Sequence, residues 1–130
     1  MPIATLNAYL WVALGGALGS MARYGISVGM LRLTGPRFPW GTLLINIGGS
    51  FVIGFFGVLS SATGRLPAPE EIRVFVLVGI CGGFTTFSSF SQQTFHLFRG
   101  GETLLGCLYI VGSVVLCLIG VSLGVMLAQT

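Results

Sequence analysis

The segment CGGFTTFSSFSQ, residues 81–92, decides the fold because it interrupts one of the most apolar parts of the chain. Its two glycines and two β-branched threonines weaken a helix. Its serines and phenylalanines suit neither an alternating strand nor a uniformly apolar membrane helix. We therefore expect a helix that breaks here, with hydroxyl groups and aromatic rings around the break.

The composition of the chain indicates a membrane protein. Of its 130 residues, 54% are hydrophobic and only 7% are charged, whereas a soluble domain carries about 25% charged residues. The net charge of +3 comes from dispersed arginines, so the clustered basic surface that binds nucleic acid is missing and no such partner is expected. We expect the lipid bilayer to surround most of the chain.

Charged residues and prolines divide the chain into four apolar segments, at about 6–30, 41–61, 72–96 and 103–128. Each is long enough for the ~20 residues with which a helix crosses the hydrocarbon, and none alternates as the strands of a membrane barrel do. No basic residue precedes Arg23, which argues against a cleaved secretory signal. The predicted fold is an all-α, multi-pass protein of the cell membrane. It has one domain, residues 1–130, with four transmembrane helices and the third broken at mid-membrane.

Arginines lie on both sides of this four-helix arrangement in similar numbers. One side has Arg65 and Arg73, and the other has Arg32, Arg37 and Arg99. Because so weak a bias sets no firm orientation, we expect dual topology and an antiparallel homodimer with its two-fold axis in the membrane plane. A single orientation set by local context is the alternative.

Small residues predict close helix packing. Three G-x-x-x-G pairs, which allow helix backbones to approach, are Gly15 with Gly19, Gly25 with Gly29, and Gly120 with Gly124. We expect no metal centre built from cysteine and histidine side chains, because the three cysteines and His96 do not have the spacing of a metal site. The cysteines are expected to pack as small hydrophobic residues.

A break at residues 82–86 frees the carbonyl groups of the preceding half-helix and the N–H groups of the following half. In hydrocarbon such groups must be buried in protein or face a wet cavity. If two inverted copies meet at the break, their carbonyl oxygens can converge on a small hard cation such as Na⁺. The alternative is a kinked helix whose carbonyls bond to neighbouring Ser or Thr side chains.

Aromatic and polar residues follow the break on the same helix. Phe84, Phe87 and Phe90 are three residues apart and share one face, and the polar residues among and after them are Ser88, Ser89, Ser91, Gln92 and Gln93. Rings that present their partly positive edges, beside hydroxyl and amide donors, suit a small hydrated anion. A row of rings that only touches lipid or other helices is the alternative.

Further polar residues occur at membrane depth in the other segments. They are Thr42 and Asn46 in the second, Tyr109, Ser113 and Cys117 in the fourth, and Arg23 in the first. A buried Asn or Arg in a span indicates a functional site or interhelical hydrogen bonding. The positive charge of Arg23 can attract anions, although an Arg can also extend to the membrane surface.

Carboxylates are absent from all four segments, since Glu70, Glu71 and Glu102 lie between them. A proton-coupled exporter of cations usually needs a carboxylate at depth, so this class is the less favoured alternative. A non-conducting membrane subunit is the other. Passive conduction of an anion, without any enzyme activity, is the simpler interpretation.

Three motifs together resemble the Fluc fluoride channels, also called CrcB. They are Gly15, Gly19 and Arg23 in G-x-x-x-G-x-x-x-R, the W-G-T-L-x-x-N-x-x-G run at 40–49, and G-I-C-G-G-F-T-T-F-S-S-F-S at 79–91. The resemblance covers all four segments. It implies a dual-topology dimer with two antiparallel pores that exports fluoride passively and selects it over chloride.

The resemblance also assigns roles to residues. It implies a central, structural Na⁺ held by the backbone carbonyls of Gly82 and Thr85. Phe87 and Phe90, and not Phe84, match the pore rings, and Asn46 matches the pore asparagine. Polar-track positions are Thr42, Tyr109 and Ser113, with Ser88, Ser89 and Ser91 less surely matched. Gln93, at a position that is acidic in some relatives, and the Cys117 thiol depart from the family pattern.

Overall fold

The structure, a computed structural model, describes residues 5–130, and helices make up most of that range. The elements are α1 (Leu6–Thr34), α2 (Trp40–Leu59), α3 (Glu70–Arg73), a π-helical segment (Val74–Ile80), α4 (Cys81–Phe84), α5 (Phe87–Arg99) and α6 (Thr103–Gln129). No strand occurs within residues 5–130, which confirms the all-α class. We call Glu70–Arg99, which contains α3 to α5, the broken helix.

Three of the helices are long and apolar enough to cross a membrane. They are α2, the broken helix and α6, with mean hydropathies of 2.0, 1.6 and 2.6. At 29 residues α1 has sufficient length, but within the described residues it does not reach the same hydropathy. A fourth span formed by α1 therefore stays a prediction, whereas a multi-pass membrane protein is established.

The helices form two closely packed pairs, α1 with the first half of the broken helix and α2 with α6. Gly15 and Gly79 face each other across the first pair, and a Cβ atom at Gly79 would lie 2.8 Å from the Cα atom of Gly15. In the second pair a Cβ atom at Gly120 would lie 3.1 Å from the carbonyl oxygen of Ile47. The backbones therefore approach as closely as glycine permits.

Two of the three predicted glycine pairs are confirmed as packing sites. Gly19 lies against the backbone of Ile80, and Gly124 lies against the backbone of Phe51. Gly25 and Gly29 make no such contact within the single chain, because a Cβ atom at either would meet no described atom within 4 Å. Close packing of this pair against a second copy stays a prediction.

The first half of the broken helix has an unusual backbone. The N–H of Cys81 donates to the carbonyl of Val76, five residues earlier, as in a π-helix, whose turns are wider than those of an α-helix. The Arg73 guanidinium at its start donates to the carbonyl of Gly57 at 3.0 Å and to the Ser60 hydroxyl at 2.6 Å. This arginine thus caps the C-terminus of α2 and fixes the start of the broken helix.

The buried core is small and lies beside the second half of the broken helix. Leu43, Leu97 and Tyr109 are buried together, and Phe90 packs against them. Most large apolar side chains on the outer face of α6 are exposed, including Leu108, Val111 and Leu118. Such a surface fits a lipid environment.

Replacing Gly15 by Ala is expected to destabilise the chain, because the new methyl group meets the backbone carbonyl of Phe75, which cannot rotate away. Overpacking of this kind costs about 1–3 kcal/mol. Gly112→Ala is the matched control, since a Cβ atom there meets nothing within 4 Å. Alanine is also more favourable than glycine inside a helix. Thermal unfolding in detergent measures both, and an equal midpoint for the two variants would contradict the packing described.

Candidate functional site

The broken helix is interrupted at Thr85 and Thr86. Both residues are extended, with φ −81° and ψ 157° at Thr85 and φ −153° and ψ 115° at Thr86. The break predicted within residues 82–86 is confirmed. The expectation that the two glycines open the helix is wrong, because both remain helical in α4. Gly83 instead lies against α1, where a Cβ atom would be 2.6 Å from the carbonyl oxygen of Gly16.

The Asn46 side chain replaces the helical hydrogen bonds that Thr86 lacks. Asn46 Nδ2 donates to the carbonyl of Thr86 at 3.1 Å, and the Thr86 N–H donates to Asn46 Oδ1 at 2.9 Å. One amide group thus satisfies both backbone groups of one residue. An unpaired buried donor or acceptor costs about 1–3 kcal/mol, so this pair stabilises the extended conformation.

The following half-helix, α5, begins with a side-chain cap. The Thr86 Oγ1 atom accepts a hydrogen bond from the N–H of Ser89 at 3.1 Å. A threonine hydroxyl is a favoured group at this N-cap position. Thr86 is therefore held from both sides, by Asn46 through its backbone and by α5 through its side chain.

Some of the freed carbonyls at the end of α4 have partners. The Cys81 carbonyl accepts from both the N–H and the hydroxyl of Thr85, at 3.0 and 2.8 Å. The Gly83 carbonyl accepts from Arg23 Nε at 3.0 Å and lies 3.5 Å from the Ser20 hydroxyl. Arg23 thus caps α4 with a positive charge, which suits a helix C-terminus. A role for Arg23 in attracting anions stays a prediction.

Two other carbonyls at the break are free within this single chain. The Gly82 and Thr85 oxygens accept no hydrogen bond from any residue in the range 5–130. A kinked helix whose carbonyls are all bonded, which was the alternative, therefore holds for the carbonyls of Cys81 and Gly83. It does not hold for those of Gly82 and Thr85. Uncharged oxygen atoms of this kind are suitable ligands for a hard cation.

A cavity of about 400 Å³, which we call the inner cavity, lies beside the break. Its lining residues are Asn46, Gly49, Ser50, Ile53, Leu77, Cys81, Gly82, Thr85, Thr86, Phe87, Phe90, Ser113, Val114 and Cys117. The structure thus brings together predicted site residues from three helices. The rings of Phe87 and Phe90 are 5.4 Å apart between centroids and tilted by 51°. Phe84 does not line the inner cavity.

Ser113 is the unusual polar residue of the inner cavity. Its side chain is buried, and its Oγ atom is the one buried side-chain polar atom in the described chain that has no hydrogen-bond partner. A buried hydroxyl without a partner is costly unless water or a ligand satisfies it. Within the described chain, the Ser113 hydroxyl is therefore left available to water or to a ligand.

Gln93 connects two of the predicted polar residues. Its Nε2 atom donates to Thr42 Oγ1 at 2.9 Å, and its Oε1 atom accepts from the Tyr109 hydroxyl at 2.7 Å. Tyr109 is fully buried, and its ring centroid lies 5.0 Å from that of Phe90. Sequence reasoning placed Gln93 among the polar residues after the break and noted it as a departure from a family pattern, but did not assign it to the site. Its position three residues after Phe90 placed it on the same face and could have identified it.

A second cavity, of about 460 Å³, lies on the other side of this polar bridge, and we call it the outer cavity. Thr42 and Gln93 line it together with Arg37, His96 and Glu102. Arg37 and Glu102 form an ion pair of 4.0 Å at the surface. Because Thr42 and Asn46 are one turn apart on α2, the two cavities follow one another along that helix.

The three serines of α5 lie outside the inner cavity. Ser88 shares a hydrogen bond of 3.4 Å with the Thr86 hydroxyl, and Ser91 donates to the carbonyl of Phe87 at 3.0 Å within its own helix. Ser89 contributes its capped N–H group. A place for their hydroxyl groups along a passage stays a prediction.

Side-chain metal ligands are not clustered in this molecule. Residues 5–130 hold no group of three or more His, Cys, Asp or Glu side chains. A hard cation would therefore depend on backbone oxygens, of which Gly82 and Thr85 supply the free ones.

Comparison with known proteins gives a consistent result. The family described as "CrcB-like protein, Camphor Resistance (CrcB)" matches residues 10–125. A protein of Methylocella silvestris is 53% identical over 116 residues, 89% of this chain and 88% of the relative. One from Rhodospirillum rubrum is 54% identical over 116 residues, covering 89% and 90%. One from Opitutus terrae is 50% identical over 119 residues, covering 92% and 90%. All three are named fluoride-specific ion channel FluC.

Replacing Asn46 by Ala is expected to destabilise the folded chain by about 2–4 kcal/mol, because both the N–H and the carbonyl of Thr86 lose their partner. Ser122→Ala is a matched control, since its hydroxyl donates only to the Leu118 carbonyl of its own helix and is exposed. Denaturant unfolding of the purified protein in detergent micelles measures both. Equal stability of the two variants would show that Asn46 does not hold the break.

Proposed function

The chain belongs to the CrcB family, and we propose that it is a fluoride-selective ion channel through which fluoride leaves the cell passively. The relatives at 50–54% identity, all named as fluoride-specific channels, support the activity. The observation that carries the proposal is that Asn46, Phe87 and Phe90 line one cavity with Ser113, whose hydroxyl has no partner in the described chain. A lower fluoride concentration in the cytoplasm is the physiological result.

The lining of the inner cavity suits the chemistry of a small, strongly hydrated anion. Such an ion crosses only where donors compensate for the water it loses. The Asn46 amide has two N–H donors, of which one goes to Thr86, so the second is available to the ion. The Ser113 hydroxyl is without a partner, and the edges of the Phe87 and Phe90 rings carry partial positive charge. Chloride, which is larger, would be excluded by the width of the passage.

The polar bridge continues the route toward the outer cavity. Thr42, Gln93 and Tyr109 form a continuous hydrogen-bonded chain between the two cavities. An anion that passes along it exchanges one set of donors for the next without entering hydrocarbon. Arg37 at the outer cavity is paired with Glu102, so these two residues together add no net charge near the mouth.

Enzyme activity and proton-coupled export find less support than conduction. The family is one of ion channels and not of enzymes. All three acidic residues lie at helix ends, with Glu70 and Glu71 in the first turn of α3 and Glu102 at the N-cap of α6. No carboxylate is therefore available at depth for the proton exchange that a multidrug exporter requires. A purely structural, non-conducting role would not account for a cavity beside the break that contains a buried hydroxyl without a partner.

The proposed assembly is an antiparallel homodimer of four-span chains with two pores along the interface. Phe87 is 78% exposed in the single chain although it lies next to the break, and a second copy would cover it. The free carbonyls of Gly82 and Thr85 fit a structural Na⁺, because they are neutral, hard oxygen atoms. The carbonyls of Gly82 and Thr85 would hold the ion, which would supply positive charge to offset the partial negative charge of these oxygen atoms.

Phe87→Ile is expected to reduce fluoride efflux by about three- to tenfold, because the aliphatic side chain has no partly positive edge. Purified protein in liposomes loaded with potassium fluoride, with a fluoride electrode outside, measures the efflux. Asn46→Asp is expected to reduce it further, since the carboxylate repels the anion.

Phe95→Ile provides the control, because this ring is on the same helix and is exposed away from both cavities. Wild-type efflux from Phe87→Ile would remove the assigned pore. Chloride-loaded liposomes test the selectivity, and export of organic cations along a pH gradient would favour the multidrug class.

Thorough removal of Na⁺, with K⁺ as replacement, is expected to reduce fluoride efflux. The reason is that Gly82 and Thr85 keep free carbonyls that repel one another when no cation is shared. The chains are expected to stay folded and assembled. The same liposome assay, with size-exclusion chromatography in parallel, measures flux and assembly. Undiminished efflux in the absence of Na⁺ would contradict the proposed cation site.

A further inference from the structure

Two of the three cysteines face the same cavity from different helices. Cys81 begins α4, just before the break, and Cys117 lies on α6, and both line the inner cavity. The third, Cys107, is exposed on α6 and lines neither cavity. The proposed conduction of fluoride gives no role to either thiol.

Ser113 adds a buried, unpaired hydroxyl to the cavity that these two cysteines line. It lies one turn before Cys117 on α6, and its buried Oγ atom, at 7% exposure of the residue, has no partner in the described chain. Much of the remaining lining is apolar and includes Ile53, Leu77 and Val114. The cavity is therefore lined by two cysteines and one unsatisfied hydroxyl, and its apolar residues have no atoms that would bind a metal ion in their place.

The donor set indicates which class of ligand fits. Thiolates prefer soft metal ions, such as Cu⁺ and its heavier congener Ag⁺, over hard ones. Such ions are stable with only two sulfur ligands, so the absence of larger side-chain clusters within residues 5–130 is no obstacle. Carboxylates, which would attract hard divalent ions, do not line the inner cavity.

We propose that the inner cavity binds one soft monovalent metal ion between Cys81 and Cys117, and that the bound ion closes the fluoride passage. Each thiol loses its proton to water as the sulfur–metal bond forms, and no electron is transferred. The metal then links α4 to α6 across the cavity and occupies space beside Phe87 and Phe90. The closure, but not the binding, rests on the proposed fluoride conduction.

Ag⁺ is a suitable probe because its fluoride is soluble, provided that chloride is replaced by nitrate. The parent is the full-length Cys107→Ser chain, in which only the two cavity thiols remain. Metal content after removal of free ion, together with a count of the thiols that Ag⁺ protects from alkylation, measures binding. We expect one Ag⁺ per chain and two protected thiols.

Cys107→Ser/Cys117→Ser is the matched variant, with Cys107→Ser/Cys117→Ala as a second form if the first is poorly folded. Replacing one sulfur by a hard oxygen or a methyl group is expected to weaken Ag⁺ binding by about 100-fold or more. Equal binding by the parent and both variants would overturn the site.

Fluoride efflux from the same liposomes separates the two proposals. Ag⁺ is expected to stop efflux through wild type and Cys107→Ser, whereas each Cys117 variant is expected to conduct equally with and without Ag⁺, whatever its own efflux in the absence of the metal. Binding without any loss of efflux would overturn the closure. If no form conducts fluoride, the proposed function fails, while a difference in Ag⁺ binding still supports the site.

Discussion

A helix that stops inside a membrane must find new partners for the backbone groups it frees, and the rest of this structure follows from that constraint. Asn46 satisfies both backbone groups of Thr86 with one amide. Arg23 and the Thr85 hydroxyl satisfy carbonyls at the end of α4. Gly82 and Thr85, whose carbonyl groups remain free within the described chain, line the inner cavity.

The packing of the helices holds the segments on both sides of the break in place. Glycines on α1 and on the π-helical segment let the two backbones meet, which fixes the half-helix before the break. Glycines between α2 and α6 hold the opposite wall, which carries Asn46 and Ser113. The inner cavity thus lies between two closely packed pairs, which limit the movement of the side chains that line it.

Much of this arrangement could be predicted from the sequence. Segment lengths and the break within residues 82–86 follow from hydropathy and local helix propensity, whereas the grouping of Asn46, Phe87, Phe90 and Ser113 is implied by the resemblance to the CrcB family. Within that range, the placement of the break at Thr85 and Thr86 and not at the glycines could not be predicted, because glycine weakens a helix and also permits close packing, and at Gly83 the packing decides. The Gln93 bridge depends on side chains from three helices, which spacing along one helix does not reveal.

Amide hydrogen exchange on the protein in lipid bilayers tests the central claim most directly. The account predicts that the N–H groups of Phe87 and Ser88, which have no helical acceptor at the start of α5, exchange much faster than those near Leu77 and Thr94 in the same span. Uniformly slow exchange from residue 74 to residue 97, as in a continuous helix, would contradict it.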